Sequence, residues 1–155
     1  MKKMILALFI LFTGYLNAGE IKLLDQNATD LAYIIPLKKY PKWLCEATLK
    51  NGKKIQFASV KSMMQVFYHQ DYFKRHKLLD SDIKEMFVQD YLSGKKINAK
   101  KAFYLFGSRI VGPHGDDLIP FGTLQNAELF KLKNGGTRIM PYNKISKGLI
   151  RYLDM

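Results

Sequence analysis

The sequence contains a single cysteine, Cys45. It cannot form an internal disulfide, so in an oxidising compartment it must be buried, bound to metal or redox-active. The signatures of common catalytic sites are missing as well. There is no Gly-x-Ser-x-Gly elbow, no Cys-x-x-Cys, no His-Glu-x-x-His and no phosphate-cradling glycine loop. One cysteine with remote histidines is not the pattern of a thiol hydrolase. An enzyme is therefore not expected. Acids are outnumbered, with 13 Asp and Glu against 25 Lys and Arg, giving a formal charge of +12. The leading apolar run, Met4 to Phe12, is too short to span a bilayer comfortably.

Those absences leave room for an exported, non-enzymatic globular protein. Met1-Lys2-Lys3, the apolar run and a small residue at Ala18 form a Sec-type signal pattern over residues 1–18, predicting export to the periplasm. An uncleaved N-terminal anchor is the alternative. No cysteine follows the run to carry a lipid. Removal of residues 1–18 deletes Lys2 and Lys3 and lowers the charge to about +10. On an exported chain that charge faces an acidic protein partner or an anionic membrane surface rather than nucleic acid; otherwise it serves solubility alone. Residues 19–155, at 48% hydrophobic and 25% charged across the whole chain, have the make-up of one folded domain.

Period-two alternation from Trp43 to Lys50 predicts a strand with Cys45, Ala47 and Leu49 on one face and Glu46, Thr48 and Lys50 on the other. Asn51-Gly52 predicts a hairpin turn into a second strand, Lys53 to Ser59. Val60, Met63, Met64, Phe67 and Tyr68 mark one face of a helix capped by Ser59. His69 to Asp82 is expected to be a helix end and loop, and Lys84 to Leu92 a third strand. After a polar connector flanked by paired lysines, Ala102 to Val111 is apolar on both parities, as in a strand covered on both sides. Leu118 to Phe121 is a short strand that Pro120 places at an edge. Thr123 caps a helix with Leu124, Ala127 and Phe130 inward, and Gly135-Gly136 ends it. Thr137 to Met140 is a strand, and Asn143 caps a last helix. The fold class is α+β: two strand-strand-helix-strand units, about 40–94 and 100–155, share a core, with a C-terminal helix added.

Between the second unit's first two strands lies Gly112-Pro113-His114-Gly115-Asp116-Asp117. Here alone a histidine, turn residues and carboxylates sit within a few positions. Imidazole with carboxylate suits Cu(II), Zn(II) or Ni(II), so His114, Asp116 and Asp117 are the candidate metal donors. The alternative is a plain loop in which Asp116 and Asp117 bond backbone N–H groups. Met63, Met64, Met86 and Met140 read as core, Cys45 as a buried small hydrophobe, and His69 and His76 as surface residues.

Several stretches taken together resemble a known family. They are Tyr40-Pro41-Lys42-Trp43, Asn51-Gly52, Val60-Lys61-Ser62-Met63-Met64, Ala102 to Ser108, Gly112-Pro113-x-Gly115 through Leu118-x-Pro120-Phe121, and Ala127-x-x-Phe130 with Gly135-Gly136. In order and spacing they are similar to the NosL family of nitrous oxide reductase accessory proteins. The resemblance implies a copper-binding accessory protein that hands a copper ion to a periplasmic copper enzyme or copper transporter. Three departures accompany it. The lipid-bearing cysteine is absent; Tyr33-Ile34-Ile35 stands where a Cys-Gly-Met-type segment is usual; and His114 stands where methionine is usual.

Overall fold

A computed structural model describes residues 19–155. The proposed signal segment, 1–18, lies outside the described residues. Two antiparallel sheets form the frame. The first contains β1 (Cys45–Leu49), β2 (Lys54–Phe57), β3 (Ile83–Gln89) and β4 (Lys96–Asn98) in the order β2-β1-β3-β4. The second contains β5 (Phe103–Phe106), β6 (Ile119–Phe121) and β7 (Arg138–Pro141) in the order β6-β5-β7. In both, the first strand of the unit is central and a helix follows the second strand: α1 (Val60–Tyr68) after β2 and α3 (Leu124–Asn134) after β6. A short α2 (Gln70–Arg75) and a C-terminal α4 (Lys147–Leu153) complete the described fold. The expected α+β class and the two strand-strand-helix-strand units are thus observed.

Local chemistry accounts for these elements. Gly52 adopts φ +86° and the Asn51 side chain accepts from Lys53 N–H at 3.0 Å, closing the hairpin that pairs Cys45 with Phe57 and Thr48 with Lys54. Ser59 and Thr123 cap α1 and α3 by accepting from Ser62 N–H at 3.2 Å and Asn126 N–H at 3.1 Å. Pro120 lies in β6, an edge strand, where its missing N–H costs no ladder bond. One apolar cluster joins the units: Cys45, Met63 and Met64 of the first pack with Tyr104, Leu118, Met140 and Ile150 of the second. A second cluster holds Trp43, Leu105, Ile119, Phe121, Ala127 and Phe130 beneath α3.

Several details differ from the sequence-based expectation. Glu46 is buried rather than solvent-facing, because Lys96 at 2.5 Å and Lys54 at 3.6 Å close over it. β4 lies in the stretch expected to be a connector; it is a short, lysine-bearing edge strand with little apolar pattern to reveal it. α2 likewise occupies a stretch expected to be mostly loop. β5 ends at Phe106 instead of running to Val111, since Gly107 turns the chain at φ +75°. Ser146, not Asn143, caps α4 by accepting from Leu149 N–H at 3.1 Å. Leu124, expected inward, is exposed.

Candidate metal site

Three chain segments meet around Lys61. It stands at the second position of α1, and its side chain is 1% exposed. Its ammonium donates to the carbonyl oxygens of His114 and Leu153, the latter at 3.0 Å, and lies 3.5 Å from Asp154 Oδ1. The ring of Tyr33 lies over it with its centroid at 5.4 Å. A buried ammonium is tolerated only when donors find acceptors and the charge finds a counterion. Here the Gly-Pro loop, the end of α4 and the N-terminal arm provide both.

The loop owes its shape to its glycines. Gly112 N–H bonds the Gly115 carbonyl at 2.8 Å, and Gly115 adopts φ +79°. A side chain at position 112 would put Cβ 2.7 Å from the Asp117 Cβ, which no ordinary packing allows. His114 is turned outward and its ring stacks on Tyr33, with centroids 4.1 Å apart and planes 13° from parallel. Its Nδ1 lies 3.9 Å from Asp154 Oδ1. Asp154 accepts from the Tyr33 hydroxyl at 2.8 Å and from Gln65 Nε2 at 2.9 Å. Burial, reinforced by that bond to Asp154, pushes the Tyr33 phenol far above its usual range, so it stays a neutral donor.

A cavity of about 330 Å³ opens beside this cluster and is lined by Lys61, His114, Asp116, Tyr152, Asp154 and Met155, among others. His114 and Asp116 therefore line one cavity. Asp117 points elsewhere. It is buried, and its Oδ1 accepts from Lys61 N–H at 2.9 Å and Leu118 N–H at 2.8 Å. No donor among the described residues meets hydrogen-bond geometry at its Oδ2. Burial raises its carboxyl to about 6, against the pull of the Ser59 hydroxyl, those two N–H groups and the Lys61 charge. Asp117 thus fastens the loop to the start of α1. Among the described residues, no three His, Cys, Asp or Glu side chains converge as a metal-holding group.

The remaining candidates are placed as their surroundings require. Cys45 is fully buried, its thiol pushed well up by burial and by the charges of Asp117 and Asp30, and it donates to the Trp43 carbonyl at 3.5 Å. It is a protonated core residue, not a thiolate donor. Met63, Met64, Met86 and Met140 are buried. His69 and His76 each direct Nδ1 to a carbonyl of their own helical turn at 2.9 Å, to Gln65 and Tyr72. Lys61, Asp154 and Met155 are not among the candidates the sequence offers, and Tyr33 enters there only as a residue standing where the resembled family has a Cys-Gly-Met-type segment. They come together across long separations, and only an uncompensated lysine between apolar helix positions could have pointed to one of them.

Comparison with known proteins sets this geometry in context. The family model described as NosL matches residues 21–150. No curated protein matches. Among solved structures, the copper chaperone NosL from Shewanella denitrificans aligns with a TM-score of 0.68 at 20% identity, covering 83% of this chain and 97% of its own. The apo-NosL protein from Achromobacter cycloclastes aligns with a TM-score of 0.46 at 20% identity, covering 68% of this chain and 87% of its own.

Proposed function

The chain belongs to the NosL family, and from that membership we propose that it is an exported copper-binding accessory protein, not an enzyme, that delivers copper to a periplasmic copper enzyme or copper transporter. Copper is cargo in this reading, held briefly and passed on. The observation that carries the proposal is the cavity between the Gly-Pro loop and α4, where the His114 imidazole, the Asp116 and Asp154 carboxylates and the Met155 thioether all line one space.

The donor set suits a carrier. Imidazole binds both copper oxidation states, carboxylate favours Cu(II), and a thioether favours Cu(I). His114 is the principal donor; Asp116, Asp154 and Met155 line the same cavity without converging with it on one point. Asp117 contributes indirectly by holding the loop against α1. Lys61 limits affinity, because its fixed ammonium already claims Asp154 and repels a second cation. Few donors, an open space and a resident positive charge favour ligand exchange with a partner over permanent capture. The test is competition titration of Cu(I) and Cu(II) against the protein and its His114→Ala variant. Replacing the principal donor is expected to weaken binding by at least about tenfold, the scale on which even outer-shell changes act at metal sites. Wild-type affinity no better than that of an unstructured control would reject the copper role. Unchanged affinity in the variant would reject only the site.

A further inference from the structure

α3 carries apolar residues on two opposite sides. Its inner side places Ala127 and Phe130 against the sheet β6-β5-β7. Its outer side carries Leu124, Leu129 and Leu132, which are 45%, 56% and 83% exposed. Gln125 and Glu128 stand among these leucines, so the outer side is mixed rather than wholly apolar, yet three large exposed leucines on one short helix form a patch that ordinarily meets a partner. A groove on one flank is lined by Leu124, Leu132, Glu128, Lys131, Arg138 and Ile139, and one on the other by Leu129, Leu92, Lys42 and Lys133. Leu92 is itself more than half exposed. The leucines thus stand on a ridge with basic residues along both sides.

The cations around this ridge are not neutralised by acids. Among the described residues, Lys42, Lys131, Lys133 and Arg138 have no acidic partner; the ion pairs involve Lys50, Lys53, Lys54, Lys61, Lys74, Lys96 and His114 instead. Glu128 is the acid on α3, so four cations face one anion. Lys131 reaches the Thr137 carbonyl at 3.1 Å, and Lys42 lies 5.9 Å from the Tyr91 ring centroid, so both stems lie along the surface with the charge at its edge.

We propose that the outer face of α3 docks on an anionic lipid surface, with Leu124, Leu129 and Leu132 entering the acyl boundary and Lys42, Lys131, Lys133 and Arg138 meeting the headgroups. This goes beyond the copper role and does not depend on it. A second copy of the chain is a poor occupant, because a two-fold contact would set the same lysines against each other. A bilayer receives a ridge and fills both flanking grooves at once, whereas a single partner helix fills one. Apolar burial and headgroup attraction then act together, as they do for interfacial helices.

The experiment is flotation of the full chain with phosphatidylglycerol-containing vesicles beside pure phosphatidylcholine vesicles. The wild type is compared with Leu129→Gln/Leu132→Gln and with Lys133→Gln/Arg138→Gln. Leu129, Leu132 and Lys133 are exposed on α3, where glutamine is a good helix former, and Arg138 is exposed at the start of the edge strand β7, so circular dichroism should be unchanged. Both variants keep residues 1–18, so any pull of the apolar N-terminal run is common to all. The leucine variant is expected to partition about tenfold or more weakly. The basic variant loses the preference for anionic vesicles and its salt sensitivity, while Leu78→Gln, an exposed leucine outside α3, leaves partitioning unchanged. Wild-type partitioning by the leucine variant, or equal binding of the wild type to both vesicle types, overturns the proposal. So does self-association of the wild type that the leucine variant abolishes. Hydrogen exchange is the second readout: slower exchange in α3 with vesicles supports the proposal, and slowing by an acidic amphipathic peptide but not by vesicles overturns it in favour of a protein partner.

Discussion

The two units share a strand order, yet their helices end in opposite circumstances. α1 and α3 both follow the second strand, and both start from a hydroxyl cap that accepts from the third residue along. Counted from the cap, Lys61 corresponds to Gln125, Met63 to Ala127, Met64 to Glu128 and Val66 to Phe130. In α1 all four of these residues are buried. In α3 only Ala127 and Phe130 are, while Gln125 and Glu128 face solvent. The cause lies outside the repeated part. α4 and the N-terminal arm pack over α1, through Gln65 to Asp154, Tyr68 to the Ile145 carbonyl, and Ser62 to Asp30. Nothing described plays that part for α3. One architecture thus gives a helix that organises the interior and another that presents a surface, depending on what the flanking segments cover.

The sharpest way to break the comparison is at the corresponding pair Lys61 and Gln125. Lys61→Met leaves the His114 and Leu153 carbonyls without their donor and Asp154 without its counterion. It is expected to cost about 3–5 kcal/mol in urea unfolding, the scale for removing one partner of a buried ion pair. Gln125→Met should stay within about 0.5 kcal/mol, as surface changes do. Equal effects at the two positions would show that the covering of α1 adds nothing.

A pH series tests the loop's attachment to α1. The Asp117 carboxyl is raised from 3.8 to about 6 in the folded state. Between those values the native protein holds the proton more tightly than the unfolded chain, so stability falls as pH rises through that window. Relative to Asp117→Asn, which cannot titrate, the wild type should lose about 2 kcal/mol between pH 4 and pH 6, from 1.36 kcal/mol per unit. Above about pH 7 the difference should level off. A constant difference across the series would mean that burial does not govern this carboxyl.

The smallest effect falls on the feature the helices have in common. Ser59→Ala and Thr123→Ala should each cost about 1 kcal/mol in thermal or urea unfolding, the usual loss for a hydroxyl cap. A much larger cost at Ser59 would show that its place beside Asp117, rather than capping, dominates there.

Local patterns made most of this fold legible. The Asn51-Gly52 turn, the alternation through Cys45, Ala47 and Leu49, the Ser59 and Thr123 caps and the Gly135 stop depend on chain geometry within a few residues, so sequence alone identifies them. β4 and α2 escaped because they are short, and tertiary contacts hold them where local pattern does not. The candidate site was half legible. His114 and Asp116 announce themselves as polar groups in a turn, but the roles of the adjacent acids diverge because the loop's fold turns Asp117 inward.

The amino-acid sequence by itself determined the element order, the two similar units, the turn that presents His114 and the placement of Met63, Met64, Met86, Met140 and Cys45 in the core. Each follows from periodicity, capping or side-chain size acting over short range. Only the tertiary structure decided that Tyr33, Lys61, His114 and Asp154 meet, and that α1 is sealed while α3 stays open. Those outcomes depend on segments far apart in the chain arriving at one place, where a buried ammonium needs the acceptors that they bring.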